Sequence, residues 1–211
     1  MNEYKRFEID FSEARSISTP SSQIDFKPMD PAKLNQIWGF TAPKHLEKMS
    51  GPCAIGTILH YHGIGWNHIP KDRQGRPLND PFIEEIVRWS ETPDLFGGSM
   101  GTSPLMMLGA LRKADLHASW YAGNSLVDTL QIIQLELLQG RPVMVLVNHG
   151  PIGHPLSLEW QVVYKMVENT IHTKHSGGGK NDSVWSLLQF KELLAMDQPQ
   201  LSCSIVTAAK D

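Results

Sequence analysis

The chain is poor in cysteine. It has two in 211 residues, Cys53 and Cys203, far apart and without metal-ligand spacing. That excludes a disulfide-dense secreted scaffold and fits a reducing compartment. Positive charge is not in excess, since the net charge is -3. The basic patch that nucleic acid or an anionic membrane surface would require is therefore missing. No apolar run approaches the length of a membrane span. The N-terminal stretch Met-Asn-Glu-Tyr-Lys-Arg-Phe-Glu-Ile-Asp lacks the apolar core of a signal peptide. These absences predict a cytoplasmic protein, unless it is exported by a route with no readable signal. A phosphate loop is lacking as well. No Gly-Lys-Ser/Thr follows the glycines of Gly97-Gly98-Ser99-Met100-Gly101, and after Lys180 an Asn181 stands where Ser or Thr would hold magnesium. No nucleotide and no other cofactor is expected.

What is present is enough for a real core: 41% of residues are hydrophobic and 19% charged, the balance of an ordinary globular domain. Residues 1–31 are the least globular part. A polar patch from Ser16 to Ser22 separates two short alternations, Phe7, Ile9, Phe11 and Ile24, Phe26. They read as strands or as an arm that lies across the domain or dimerises. Residues 32–211 read as one domain. Asp30-Pro31 can open a first helix.

The chain is organised around Met49 to Gly63. Ser50 takes the N-cap position, Pro52 suits a first turn, Ile55, Ile58 and Leu59 share one face, and Gly63 is a stop. Free amides and partial positive charge collect at such a helix start. A hydroxyl or thiol there, Ser50 or Cys53, is placed for activation or anion binding. The plainer alternative is that Ser50 caps and Cys53 packs.

Residues 65–81 read as a long loop. Asp80-Pro81 opens a helix through Phe82, Ile86 and Trp89. Pro104 starts another through Leu105, Leu108 and Leu111, ending by Leu116. Ser125 and Asp128 cap a helix that runs to Gly140. Residues 142–147 are a buried strand, and residues 160–166 and 170–174 pair through Glu168-Asn169. Trp185 to Leu194 reads as a last helix and Leu201 to Thr207 as a last strand. Helices crowd the first two thirds and antiparallel strands the last third. The fold class is therefore α+β, an N-terminal helical part packed on a C-terminal antiparallel sheet.

The stretch Ser50-Gly-Pro-Cys-Ala-Ile-Gly-Thr-Ile-Leu-His-Tyr-His-Gly63 resembles the Cys-Gly-Pro-Ala helix of bacteriocin-processing (double-glycine) peptidases, which are papain-like cysteine peptidases. Gly101-Thr-Ser-Pro104, Gly140-Arg-Pro-Val-Met-Val-Leu-Val147, the strand from Trp160 and the Ser-Gly-Gly loop after His175 keep that family's order. The likeness covers about residues 40–195. It implies a papain-like fold and a site of four groups: a cysteine, a histidine base, an Asp or Asn that orients it, and a glutamine at the oxyanion hole. Carried over by position, these fall at Ser50, Glu159, His175 and Lys44, so each of the four has changed. A second register, with Gly51-Pro52-Cys53 on papain's Gly-Ser-Cys, makes Cys53 the nucleophile.

Ordinary cysteine-peptidase chemistry is disfavoured, because a carboxylate beside a thiol opposes the thiolate. Two readings stay open. In one, a rebuilt hydrolase or acyltransferase acts on a peptide-like or acyl substrate. Ser50 or Cys53 is the acceptor, Glu159 and His175 handle protons, and Lys44 or helix amides hold the oxyanion. In the other, the cleft has lost catalysis and binds a peptide or partner protein. Trp160, Gly51 and His154 are the candidate binding residues, and His154 could also swing in as a base. Glu159, His172 and His175 have the types of a zinc site, but hydrogen-bonded strand and loop histidines are the preferred reading, and no metal is expected. The oligomeric state is not legible.

Overall fold

A computed structural model describes residues 14–15, 31–44, 49–90, 102–149, 158–176, 182–195 and 203–210. The alternations around Phe7 to Phe11 and Ile24 to Phe26, the turn at Gly97 to Gly101, and His154 lie outside them. Six helices are described: α1 (Pro31–Asn35), α2 (Ser50–Tyr61), α3 (Asn79–Trp89), α4 (Pro104–Lys113), α5 (Leu126–Leu138) and α6 (Leu187–Leu194). Seven strands join them: β1 (Ala14–Arg15), β2 (His117–Tyr121), β3 (Val143–Asn148), β4 (Leu158–Val167), β5 (Thr170–Lys174), β6 (Asp182–Ser186) and β7 (Ile205–Ala209). None of the described helices is long and apolar enough to cross a membrane.

The strands form one sheet in the order β1-β2-β7-β3-β4-β5-β6. Every neighbouring pair is antiparallel except β1 with β2, where Ala14 and Arg15 run beside Trp120 and Tyr121. Two residues of the N-terminal stretch thus extend the sheet at one edge. β3 is buried from Val143 to Val147, as a continuous apolar run in a central strand must be. The β4–β5 hairpin turns at Glu168, whose φ of 50° is left-handed.

Local chemistry sets the helix starts. Ser103 and Ser125 accept the amides of Met106 and Asp128, and α6 opens with a complete capping box between Ser186 and Gln189. α2 is the exception. Its cap is Met49, with no side-chain cap bond, so Ser50 is the first helical residue and not the cap the sequence predicts. Its hydroxyl serves a strand instead, as described below. Nearly all of α2 is buried: Ile55, Ile58 and Leu59 have no exposed surface, and each such side chain contributes on the order of 1.5–3 kcal/mol by burial. The helix packs against β4, α3 and α4.

Three further expectations need correction. Trp185 belongs to β6, opposite Ile171 of β5, because the capping box holds the helix start back to Leu187. The last strand begins at Ile205, after a left-handed Cys203 (φ 55°). α4 stops at Lys113, where Asp115 (φ 57°) reverses the chain into the unanticipated strand β2. The buried Trp120 of that strand donates its indole N–H to Ser204 Oγ at 2.8 Å.

The α2 start is packed too closely for any side chain at Gly51. A Cβ there would lie 2.1 Å from Thr102 Oγ1 and 2.2 Å from Thr102 Cβ, and the latter cannot rotate away. Gly51→Ala should therefore cost about 3 kcal/mol in chemical denaturation. Adding Thr102→Gly should recover part of that loss.

Candidate functional site

The site is built where α2 begins and β4 begins. The backbone amide of Trp160 donates to Ser50 Oγ at 3.1 Å, and the Trp160 indole donates to the carbonyl of Thr102 at 2.8 Å. Strand, helix start and the segment before α4 are thereby locked together. Trp160 is only 3% exposed, so it serves as an anchor. Gly51 is buried beneath Thr102 in the same joint.

Glu159 does not turn its carboxylate to Ser50. Oε1 accepts the backbone amide of Ser176 at 3.2 Å and its hydroxyl at 2.9 Å. Oε2 accepts Gln161 Nε2 at 3.1 Å and is 3.0 Å from His149 Nε2. Burial alone would raise its pKa. The hydrogen bonds from His149, Gln161 and Ser176 outweigh that and hold it at about 2. Gln161 is held in turn by the Thr173 hydroxyl at 2.7 Å, and Thr173 by the Trp185 indole at 3.2 Å.

Cys53 lies one turn into α2 and is 2% exposed. Burial pushes its thiol pKa strongly up, and the negative charge of Glu159 adds to the effect. That is the opposite of activation. His175 is half-buried and follows β5 directly. With Phe40, Cys53, Trp160, Lys174 and Ser176 it lines a narrow recess that has no room for a water molecule. Lys44 is exposed at a turn and makes no hydrogen bond or ion pair among the described residues. Among those residues, no three of His, Cys, Asp and Glu gather as metal ligands. His172 instead packs against the Tyr164 ring, with centroids 6.1 Å apart.

The structure thus brings Ser50, Gly51 and Trp160 into one joint, and sets Cys53 and His175 against one recess. It gives Glu159 partners that the sequence reading does not assign: His149, Gln161 and Ser176. One signal for them was available. Gln161 is two residues from Glu159 on a strand, and so shares its face.

The network predicts a pH signature. Glu159 is depressed from an ordinary 4.5 to about 2, so its contribution to stability is complete above the ordinary value and is lost as pH falls through about 2. Glu159→Gln places an amide N–H₂ among donors. It should destabilise the chain by about 1–3 kcal/mol at neutral pH. It should also flatten the stability-against-pH curve between 4.5 and 2 relative to wild type, as read by urea denaturation across that range.

Compared by sequence, the chain matches no family model and no curated protein. Its structure is similar to the peptidase domain of Streptococcus ComA, a bi-functional ABC transporter involved in quorum sensing. The TM-score is 0.56 at 11% identity, covering 83% of this chain and 100% of that one. It is similar to a C39-like peptidase from Bacillus anthracis, with a TM-score of 0.57 at 13% identity over 84% of this chain and 96% of that one. A double glycine motif protease from an AMS/PCAT transporter, solved in complex with the leader peptide, matches with a TM-score of 0.50 at 11% identity over 83% and 94%. Identities this low speak for architecture alone: the chain has the papain-like α+β fold of C39-like, double-glycine peptidase domains.

Proposed function

We propose that this protein binds a peptide across the surface beside α2 and the end of β5, on a peptidase fold that does not carry out the peptidase reaction. One observation carries the reading. The Glu159 carboxylate, at the position the resemblance assigns to the base, takes four hydrogen bonds from His149, Gln161 and Ser176 and none from Ser50. A general base needs a lone pair aimed at the nucleophile and a pKa near the working pH. Glu159, at about 2, has neither. The other requirements fail as well. The Ser50 oxygen is engaged by the Trp160 amide, and the buried Cys53 thiol is held protonated. Phe40 and Trp160 are buried under the narrow recess, and the half-buried Lys174, His175 and Ser176 at its rim are the groups that a peptide lying across it would meet. A leader peptide is bound by the double glycine motif protease of similar fold, which makes a peptide of that type the first probe.

The rebuilt-enzyme reading retains one specific support. Ser50 is half-buried in the first turn of α2, where free amides could hold an oxyanion. In that reading His175 moves protons and Lys44 or the amides stabilise charge. The two readings separate in one experiment. The native protein is treated with a fluorophosphonate and, separately, with iodoacetamide, and modified residues are mapped by mass spectrometry. For the binding function, Ser50 should label no faster than in the unfolded chain, and Cys53 should stay unmodified until denaturant is added. A fluorescein-labelled leader-type peptide ending in Gly-Gly should bind, and His175→Ala should weaken it about tenfold. Rapid fluorophosphonate labelling of Ser50 would overturn the non-catalytic reading in favour of a serine hydrolase or acyltransferase.

A further inference from the structure

Strand β6 lies at the far edge of the sheet. Yet both of its faces reach the recess. On one face Asp182 accepts from Lys174 Nζ at 2.7 Å and from the Tyr164 hydroxyl at 3.1 Å. This fixes Lys174, one of the residues that line the recess. On the other face, Trp185 Nε1 donates to Thr173 Oγ1 at 3.2 Å.

The direction of that second connection follows from the groups themselves. An indole nitrogen can only donate. Thr173 Oγ1 is therefore an acceptor toward Trp185, and its own hydrogen goes to Gln161 Oε1 at 2.7 Å. This assigns the oxygen of the Gln161 amide and turns its Nε2 toward Glu159 Oε2 at 3.1 Å. His149 meets the same carboxylate oxygen at 3.0 Å. On its other oxygen Glu159 receives the amide and hydroxyl of Ser176. The Ser176 carbonyl then accepts the amide of Ala42 at 3.3 Å, beside Phe40 of the recess wall. An unbroken series of hydrogen bonds thus runs from the sheet edge to the recess.

We propose that Trp185 is the positioning residue of the recess: through Thr173 and Gln161, its indole fixes the one orientation in which Glu159 accepts from every side and holds Ser176 in the wall. This deepens the binding function proposed above, because it names what sets the shape of the bound surface. With a phenyl ring in place of the indole, the Thr173 hydroxyl is released to other directions. The Gln161 amide can then turn its oxygen toward Glu159, where it repels the carboxylate.

The test uses the full chain, with Trp185→Phe, Thr173→Val and Thr173→Ser. Two quantities are read by NMR: the titration midpoint of the Glu159 carboxyl carbon and the hydrogen-exchange rate of the Ser176 amide. In Trp185→Phe and Thr173→Val the midpoint should rise by at least about one unit, and Ser176 should exchange about tenfold faster. Thr173→Ser keeps the hydroxyl and should leave both at wild-type values. A role in packing alone would lower overall stability without moving the Glu159 midpoint. Folded Trp185→Phe or Thr173→Val protein with an unchanged midpoint and unchanged Ser176 exchange overturns the proposal. If Trp185→Phe does not fold, the Thr173→Val and Thr173→Ser pair decides. Neither readout uses a peptide. A chain that shows both changes but binds no leader-type peptide keeps the positioning role and loses the binding function.

Discussion

A carboxylate taken out of water must be met by donors, and in this protein that requirement organises the site. Glu159 is mostly buried, and removing its charge from solvent is costly unless each lone pair is satisfied. The fold supplies donors from three directions: His149 just past the end of β3, Gln161 on β4, and Ser176 after β5. Each contact draws a separate piece of chain to one point. Ser176 passes the constraint on to Ala42 through a backbone bond, so the far wall of the recess also depends on the carboxylate. An apolar group at this position would leave four donors without their acceptor, and an amide would still leave two of them facing its N–H₂.

A strongly shifted pKa does not by itself mark a catalyst. Catalytic groups are tuned toward the pH at which they work, whereas ion-pair and hydrogen-bond networks drive carboxylates away from it. Glu159, at about 2, is of the second kind. Cys53 is displaced in the opposite direction by burial and by that nearby negative charge. The two shifts are linked. An environment that keeps Glu159 ionised is one in which a thiolate is least welcome, so the carboxylate and an active cysteine exclude one another.

Much of this was legible in the chain and some was not, for physical reasons. α2, the buried β3, the β4–β5 hairpin and the Ser125 cap follow from short-range patterns, and the structure has them near the expected bounds. The errors fall where a distant partner overrules local preference. Ser50 has the residue type of a cap, but the Trp160 amide, 110 positions away, claims its oxygen. Trp185 fits a helix face by periodicity, yet pairing with β5 takes it into the sheet. The capping box at Ser186 and Gln189 was the readable signal for that boundary. β2 is short and follows a helix closely, so its pairing with β7 leaves little trace in its own five residues. The site divides in the same way. Ser50, Glu159 and His175 were singled out as candidates by their positions in a resemblance. The partners of Glu159 were not, because Ser176 is 17 residues away and joins only through the hairpin.

These couplings bear on how such a site could change while the fold stayed intact. A serine oxygen at the start of α2 can accept the Trp160 amide and carry no charge. A thiolate at that place would sit next to the strand that carries an ionised Glu159, and repulsion between two like charges in a poorly solvated site would raise the energy of the folded chain. Serine at position 50 and glutamate at position 159 are thus mutually compatible, whereas a thiolate at position 50 beside the ionised glutamate is disfavoured. A thiolate with a glutamate is repelled, and a serine with a histidine has no carboxylate to gather Gln161, His149 and Ser176. The two positions are best understood as one electrostatic unit, with the edge-strand indole of Trp185 as its outermost support. On this view the wall of the recess is held in place by the hydrogen-bond network around Glu159.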